Sequence, residues 1–238
     1  MITLFGPRAA PVVNKVAKGL GLKGLEFTQR EPGTTEDYWR WSPETGRLPV
    51  IDIDGERIHD STAILLRIDE LHPDPPFFSS DPRIGSAQRR MVTWADESYV
   101  WYWMRWQQIR PEGPPVGPPV SGAVFGGGPG VVRPDEPTRP AGMSLRNWVA
   151  TRLQKRTTQG ESEHARLIYE IGHRVDDMAR LLAGRPFFYS EQISMADLSV
   201  YAVLQSLLGD SIPGGRNHVE QNPQLLDHAR RVEQETGG

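Results

Sequence analysis

The chain has no cysteine among its 238 residues. That absence excludes disulfides, thiolate metal sites and a protein thiol nucleophile. It also has no block of like charge: 27 basic residues face 30 acidic ones, for a formal net charge of −3, and neither sign is gathered into a tail. A polyanionic partner such as nucleic acid is not expected, since such a partner is recognised by a concentrated basic surface. No apolar run approaches the roughly 18–20 residues needed to cross a bilayer. The opening Met1-Ile2-Thr3-Leu4-Phe5-Gly6-Pro7 lacks the charged start and long apolar stretch of a secretory signal. The expectation is a soluble, cytoplasmic protein with no membrane partner.

Several catalytic patterns are missing as well. Glu170-Ile171-Gly172-His173 has the spacing of a metal-binding helix, but the pair occurs once and carboxylate metal sites need more ligands. No metal is expected, and the pair reads as a surface feature. The run Gly126-Gly127-Gly128-Pro129-Gly130 has no Lys-Ser/Thr after it and no strand before it, so it is not a phosphate loop. There is no nucleophile elbow and no internal repeat.

What is present divides the chain in two. Over residues 1–72 strands and helices alternate. Ile2 to Phe5 is a short apolar strand broken by Pro7, and Val12, Val13, Val16, Ala17 and Leu20 then recur at helical spacing up to Gly21. Leu25 to Thr28 is a second strand, and the stretch with Trp39, Trp41 and Pro43 reads as irregular. Leu48 to Ile53 is a third strand, Asp54-Gly55 a two-residue hairpin turn, and Arg57-Ile58 the returning strand. Asp60 or Ser61 caps a helix carrying Ala63, Ile64, Leu65 and Ile68. This βαβ, hairpin, α order suits a compact mixed domain.

Residues 73–83, rich in proline, read as a linker, and 84–238 as all-helical. Helices are expected over 84–109, 144–183, 194–208 and 223–235. The stretch 111–142 is dense in proline and glycine, has almost no periodicity, and is expected to be an extended or mobile loop. Ser194-Met195-Ala196-Asp197 is a capping box with Asp in place of Glu, a structural rather than catalytic feature.

One segment carries a signature. Ser42-Pro43-Glu44-Thr45-Gly46-Arg47-Leu48-Pro49-Val50-Ile51 is followed, beyond the Asp54-Gly55 turn, by Asp60-Ser61. Together with the first helix of the second part and the Ser194–Asp197 box, it resembles the glutathione S-transferase-like superfamily, over nearly the whole chain except 111–142. The resemblance implies a thioredoxin-like α/β N-terminal domain followed by an all-α C-terminal domain. It implies glutathione as co-substrate and a small apolar or aromatic electrophile as second substrate.

The chemistry of the residues fits such a ligand. With a cis bond at Leu48-Pro49, the Leu48 N–H and C=O face outward and can pair with an extended peptide laid alongside. The helix start at Asp60-Ser61 offers amides and a hydroxyl to the γ-glutamyl carboxylate, and Asp60 can accept from the neighbouring amine. Arg47 can pair with the glycyl carboxylate. Family members lower the thiol pKa with a Tyr, Ser or Cys near the first strand or the following helix start. Here those places hold Phe5 and Ala10. The substitutes are Arg8, which is the catalytic candidate, the positive end of the helix starting near Pro11, and Thr3, which as a strand residue is expected to point elsewhere.

In the helix beyond the linker, Tyr99, Trp103 and Trp106 share one stripe, and Trp94 and Trp101 another. The first stripe is the candidate wall for an apolar second substrate, with a core role as the alternative. Two functions stay open: conjugation of glutathione or related glutathione-dependent chemistry, and non-catalytic ligand binding on the same fold. A homodimer is expected from the fold.

Overall fold

The computed structural model describes residues 1–109 and 145–237; for Val100, Met104, Gln107, Gln108 and residues 145–160 it describes the backbone alone. The loop expected at 111–142 lies outside the described residues.

The first part is built on four short strands: β1 (Ile2–Phe5), β2 (Thr28–Arg30), β3 (Val50–Ile53) and β4 (Glu56–His59). Their order is β2-β1-β3-β4, with β2 parallel to β1 and the other neighbours antiparallel. Central strands are covered on both faces, which is why Leu4, Val50 and Ile51 have no exposed surface. Helix α1 (Pro11–Leu22) follows β1, α2 (Thr35–Trp41) follows β2, and α3 (Ser61–Leu71) follows β4.

Two sequence expectations change here. The second strand lies at Thr28–Arg30 rather than Leu25–Thr28, in register with Thr3–Phe5. The stretch around Trp39 and Trp41 is a helix, not irregular. Its start is a second capping box: the Asp37 carboxylate accepts from the Gly33 and Thr34 amides at 2.9 and 3.0 Å.

The second part holds α4 (Pro82–Ile109), α5 (Leu145–Leu182), α6 (Met195–Leu208), α7 (Gly215–Glu220) and α8 (Pro223–Glu235). The six-residue α7 had no counterpart in the sequence reading. The architecture is therefore α/β followed by all-α, as the sequence implies.

The two parts share one apolar core. Helix α1 packs on α6, and Phe77 of the linker is fully buried between the parts. The Phe77 amide donates to Asp69 at 3.0 Å, and its carbonyl accepts from the Met195 amide at 2.9 Å. Lys23 pairs with the same Asp69 at 2.6 Å, and its ammonium lies 4.3 Å from the Phe77 ring centroid. The proline-rich segment thus works as a fixed plug rather than a free tether. Among the described residues, no helix is long and apolar enough to cross a membrane.

Candidate functional site

Strand register brings most of the candidate residues to one end of the sheet. Phe5, Val50 and His59 are paired across β1, β3 and β4, and Phe5 also pairs with Arg30 of β2. The segments that leave or enter the sheet there are residues 6–10 before α1, Glu31, Arg47–Pro49 before β3, and Asp60–Ser61 before α3. The β3–β4 ladder ends at Val50 opposite His59, so the Arg47–Pro49 and Asp60–Ser61 segments both continue from that one end of the pair.

Asp60 is the N-cap of α3. Its Oδ1 accepts from the Thr62 and Ala63 amides at 2.9 and 3.0 Å, and its carbonyl accepts from Ile64 at 2.9 Å. Its φ of 71° lies in a region that side-chain-bearing residues rarely adopt, and the two amide bonds hold it there. Ser61 is 5% exposed, yet neither its amide nor its hydroxyl bonds another described residue. An amide and a hydroxyl left open at a helix N-terminus make a receptor for a carboxylate.

In the segment that enters β3, the Leu48–Pro49 bond is cis, as the sequence reading expects. The Leu48 N–H and C=O are unpaired among the described residues. Arg47 precedes them, half-buried, its amide donating to Thr45 Oγ1 at 3.2 Å. Fully buried Ser42 ties this loop to β4: its Oγ lies 2.8 Å from Thr45 Oγ1 and 3.3 Å from His59 Nδ1.

Arg8 sits on the turn into α1. Its amide and Nε both donate to the Glu31 carboxylate, at 3.2 and 3.1 Å, and its side chain is 71% exposed. The N-cap of α1 is Ala10, which supplies no side-chain bond to the helix start. The helix dipole is thus left uncompensated by any side chain at that cap.

The expected aromatic stripe divides. Tyr99 is 7% exposed and faces the core, its hydroxyl bonded to Ser206 Oγ and lying 3.2 Å from Ser211 Oγ. Burial pushes its phenol above the ordinary value. Trp106 leans on α5, its ring 4.7 Å from that of His164, and Trp103 is half-buried against the core. A groove of about 340 Å³ between α4 and α5, lined by Arg90, Met91, Trp94, Arg180, Leu181 and Tyr189 among others, involves none of the candidate residues. Glu170 is paired with Arg166 at 3.1 Å, and among the described residues no three His, Asp or Glu side chains gather as metal ligands.

One cluster escaped the sequence reading. Lys15 of α1 is 1% exposed, and its ammonium donates to Asp96 Oδ2 of α4 at 2.6 Å and to Thr62 Oγ1 of α3 at 2.8 Å. Thr62 Oγ1 in turn donates to the same Asp96 oxygen at 2.9 Å. Burial pushes the Lys15 ammonium below its ordinary value, and Asp96 and then Asp60 oppose that shift. The signal was available: Lys15 falls three residues after Val12 and four before Gly19, on the stripe that a buried helix face keeps apolar.

Two family models match the sequence: "Glutathione S-transferase, N-terminal domain" over residues 4–76 and "Glutathione S-transferase, C-terminal domain" over residues 148–237. Solved structures agree in fold. The Tau class glutathione S-transferase of mango, Mangifera indica, is 17% identical, with a TM-score of 0.64, covering 98% of this chain and 88% of that one. The beta-etherase LigF of Sphingobium sp. strain SYK-6 is 17% identical with a TM-score of 0.66, covering 98% and 94%. A glutathione S-transferase of Methylobacterium radiotolerans in complex with glutathione sulfonate is 24% identical with a TM-score of 0.60, covering 98% and 90%. At these identities the likeness is one of fold. No curated protein matches the sequence at a significant level.

Proposed function

Because the chain belongs to the glutathione S-transferase superfamily, we propose that it binds glutathione at the sheet end formed by Arg47, Leu48, Pro49, Asp60 and Ser61 and transfers it to a small apolar or aromatic electrophile. The observation that carries this reading is the two sets of open groups on segments leaving one end of the β3–β4 pair: the Leu48 N–H and C=O, and the buried Ser61 amide and hydroxyl. The γ-glutamyl carboxylate is received at Ser61, the cysteinyl backbone pairs with Leu48, and Arg47 takes the glycyl carboxylate. The thiol then lies toward the start of α1, where the helix dipole and Arg8 favour the thiolate. The thiol proton passes to solvent, and the thiolate sulfur attacks an electrophilic carbon beside Trp103 and Trp106, forming the C–S bond as the carbon's bond to its leaving group breaks and that group departs to solvent with the bonding pair. The protein acts as a cytoplasmic homodimer in this reading.

A second reading, glutathione binding without transfer, is favoured by one observation. Ala10 caps α1 where a hydroxyl or thiol would activate the ligand, and the Arg8 guanidinium is already engaged by Glu31. Calorimetry with glutathione, followed by ultraviolet absorbance of the bound thiolate, separates the two. Binding with thiolate formation at neutral pH supports transfer, binding without it supports the second reading, and no binding removes both.

A further inference from the structure

Lys15, Thr62 and Asp96 come from three helices and both parts of the molecule. A buried ion pair is weak support for stability, since apolar side chains of similar volume usually serve as well or better. Lys15 occupies a stripe where Met or Leu would pack without desolvating a charge, so packing alone does not account for it.

Its surroundings do. Thr62, which receives one of the ammonium's bonds, is the residue directly after Ser61, and Asp60, directly before, lies close enough to favour the charge on Lys15. The two carboxylates of Asp60 and Asp96 would by themselves make this corner repel an anion. The Lys15 ammonium offsets one of those two charges beside the start of α3, where the helix dipole already favours a carboxylate. The hydrogen bonds to Thr62 also fix the first turn of α3, and so the direction in which the Ser61 amide and hydroxyl point.

We propose that Lys15, held by Asp96, is a positioning residue that offsets the acidic corner around Ser61 and, through Thr62, orients the Ser61 amide and hydroxyl for the γ-glutamyl carboxylate, so that the helical part of the chain takes part in glutathione recognition through α4. The inference rests on the glutathione reading above. It makes carboxylate recognition depend on the seating of α4, the same helix that presents Trp103 seven residues, two turns, further along the Asp96 face.

The test compares two peptides by calorimetry: glutathione, and γ-aminobutyryl-cysteinyl-glycine, which lacks only the γ-glutamyl α-carboxylate. Lys15→Met is expected to weaken glutathione by roughly tenfold or more, as the loss of a charge-assisted contact does, and the truncated peptide by less than about threefold. Lys15→Arg, which keeps the charge, is expected to retain most of the glutathione affinity. Equal losses for both peptides in Lys15→Met would mean a purely structural role and overturn the inference, as would unchanged glutathione affinity. Should Lys15→Met fail to fold, Thr62→Val severs the link to α3 without leaving an unpaired charge, and the same peptide dependence is required of it. Wild-type protein that binds the truncated peptide as tightly as glutathione overturns the inference while leaving peptide binding at Leu48 intact. Wild-type protein that binds neither removes the glutathione reading and this inference together.

Discussion

Asp197 offers the sharpest test of how the helical part is held. Its carboxylate is fully buried and accepts from the Ser194 amide at 2.8 Å, the Ser194 hydroxyl at 2.7 Å and the Phe188 amide at 2.8 Å, with His228 Nε2 at 2.9 Å. Replacement by Ala leaves two buried amides without a partner, at about 1–3 kcal/mol each, before the Ser194 hydroxyl and His228 are counted. The expected loss is therefore about 4 kcal/mol or more, against about 0.5–2 kcal/mol for an ordinary helix cap. Set beside a typical total of about 5–15 kcal/mol, this leaves the variant close to unfolded. Urea unfolding followed by circular dichroism measures it directly, with the midpoint falling at an unchanged slope. Asp197→Asn, which keeps the shape and one acceptor oxygen but points an amide at a donor, should fall between the two. A loss in Asp197→Ala no larger than an ordinary cap would refute the view that one carboxylate secures the α6 start, the Phe188 turn and α8 as a unit.

Three further outcomes follow from the geometry. Ser61→Ala should weaken glutathione binding by about 1–3 kcal/mol, the cost of a lost hydrogen bond to a charged group; unchanged Kd values in Ser61→Ala and Arg47→Ala would remove both residues from the site. Gly19→Ala should lower the Tm, because its Cβ would lie 2.2 Å from Leu65 Cδ2 and 3.3 Å from Phe77 Cζ. That overpacking costs about 1–3 kcal/mol and exceeds the roughly 1 kcal/mol of gained helix propensity; a raised Tm would contradict it. For Lys15 the native pKa is depressed below 10.5, so the native state releases this proton at lower pH than the unfolded chain. Wild-type stability should then rise relative to Lys15→Met as pH climbs through the depressed native value toward 10.5. A pH-independent difference in urea midpoints would argue against the depressed value.

Local signals in the sequence were readable where they were short in range. The Asp54-Gly55 turn is a case: both residues have positive φ, 52° and 94°, as a two-residue hairpin between Ile53 and Glu56 requires. The Ser194–Asp197 box likewise follows from a few adjacent residues, whereas the cis bond at Leu48-Pro49 was expected from the peptide ligand that the Leu48 backbone is asked to face. Helix α2 carried the same box in Thr34 and Asp37, but its seven residues, with two tryptophans, a tyrosine and none buried, show no apolar stripe. Tyr99 illustrates a different limit. Periodicity groups it with Trp103 and Trp106, but whether that stripe meets a cleft or another helix depends on α6, more than 95 residues later in the chain. The Lys15 cluster was illegible for the same reason, since its partners stand 47 and 81 residues away. A lysine on an apolar stripe signals that a partner exists without naming it.

The last helix has a bearing on the order in which the molecule is made. His228 of α8 completes the ring of bonds around Asp197, Tyr201 of α6 donates to Glu233 at 2.9 Å, and the Thr236 carbonyl rests against Gly21, where even a Cβ would come within 2.3 Å. During synthesis α1 and α6 both leave the ribosome before α8 does. The sheet and its hairpin can pair early, from residues within the first 59. The polar closure of α6 and the seat for the end of α1 must wait until residue 236 has emerged. A nascent chain halted short of His228 therefore carries a half-capped central helix and an uncovered turn of α1, the surface by which a folding chaperone or a protease would tell it from the finished protein.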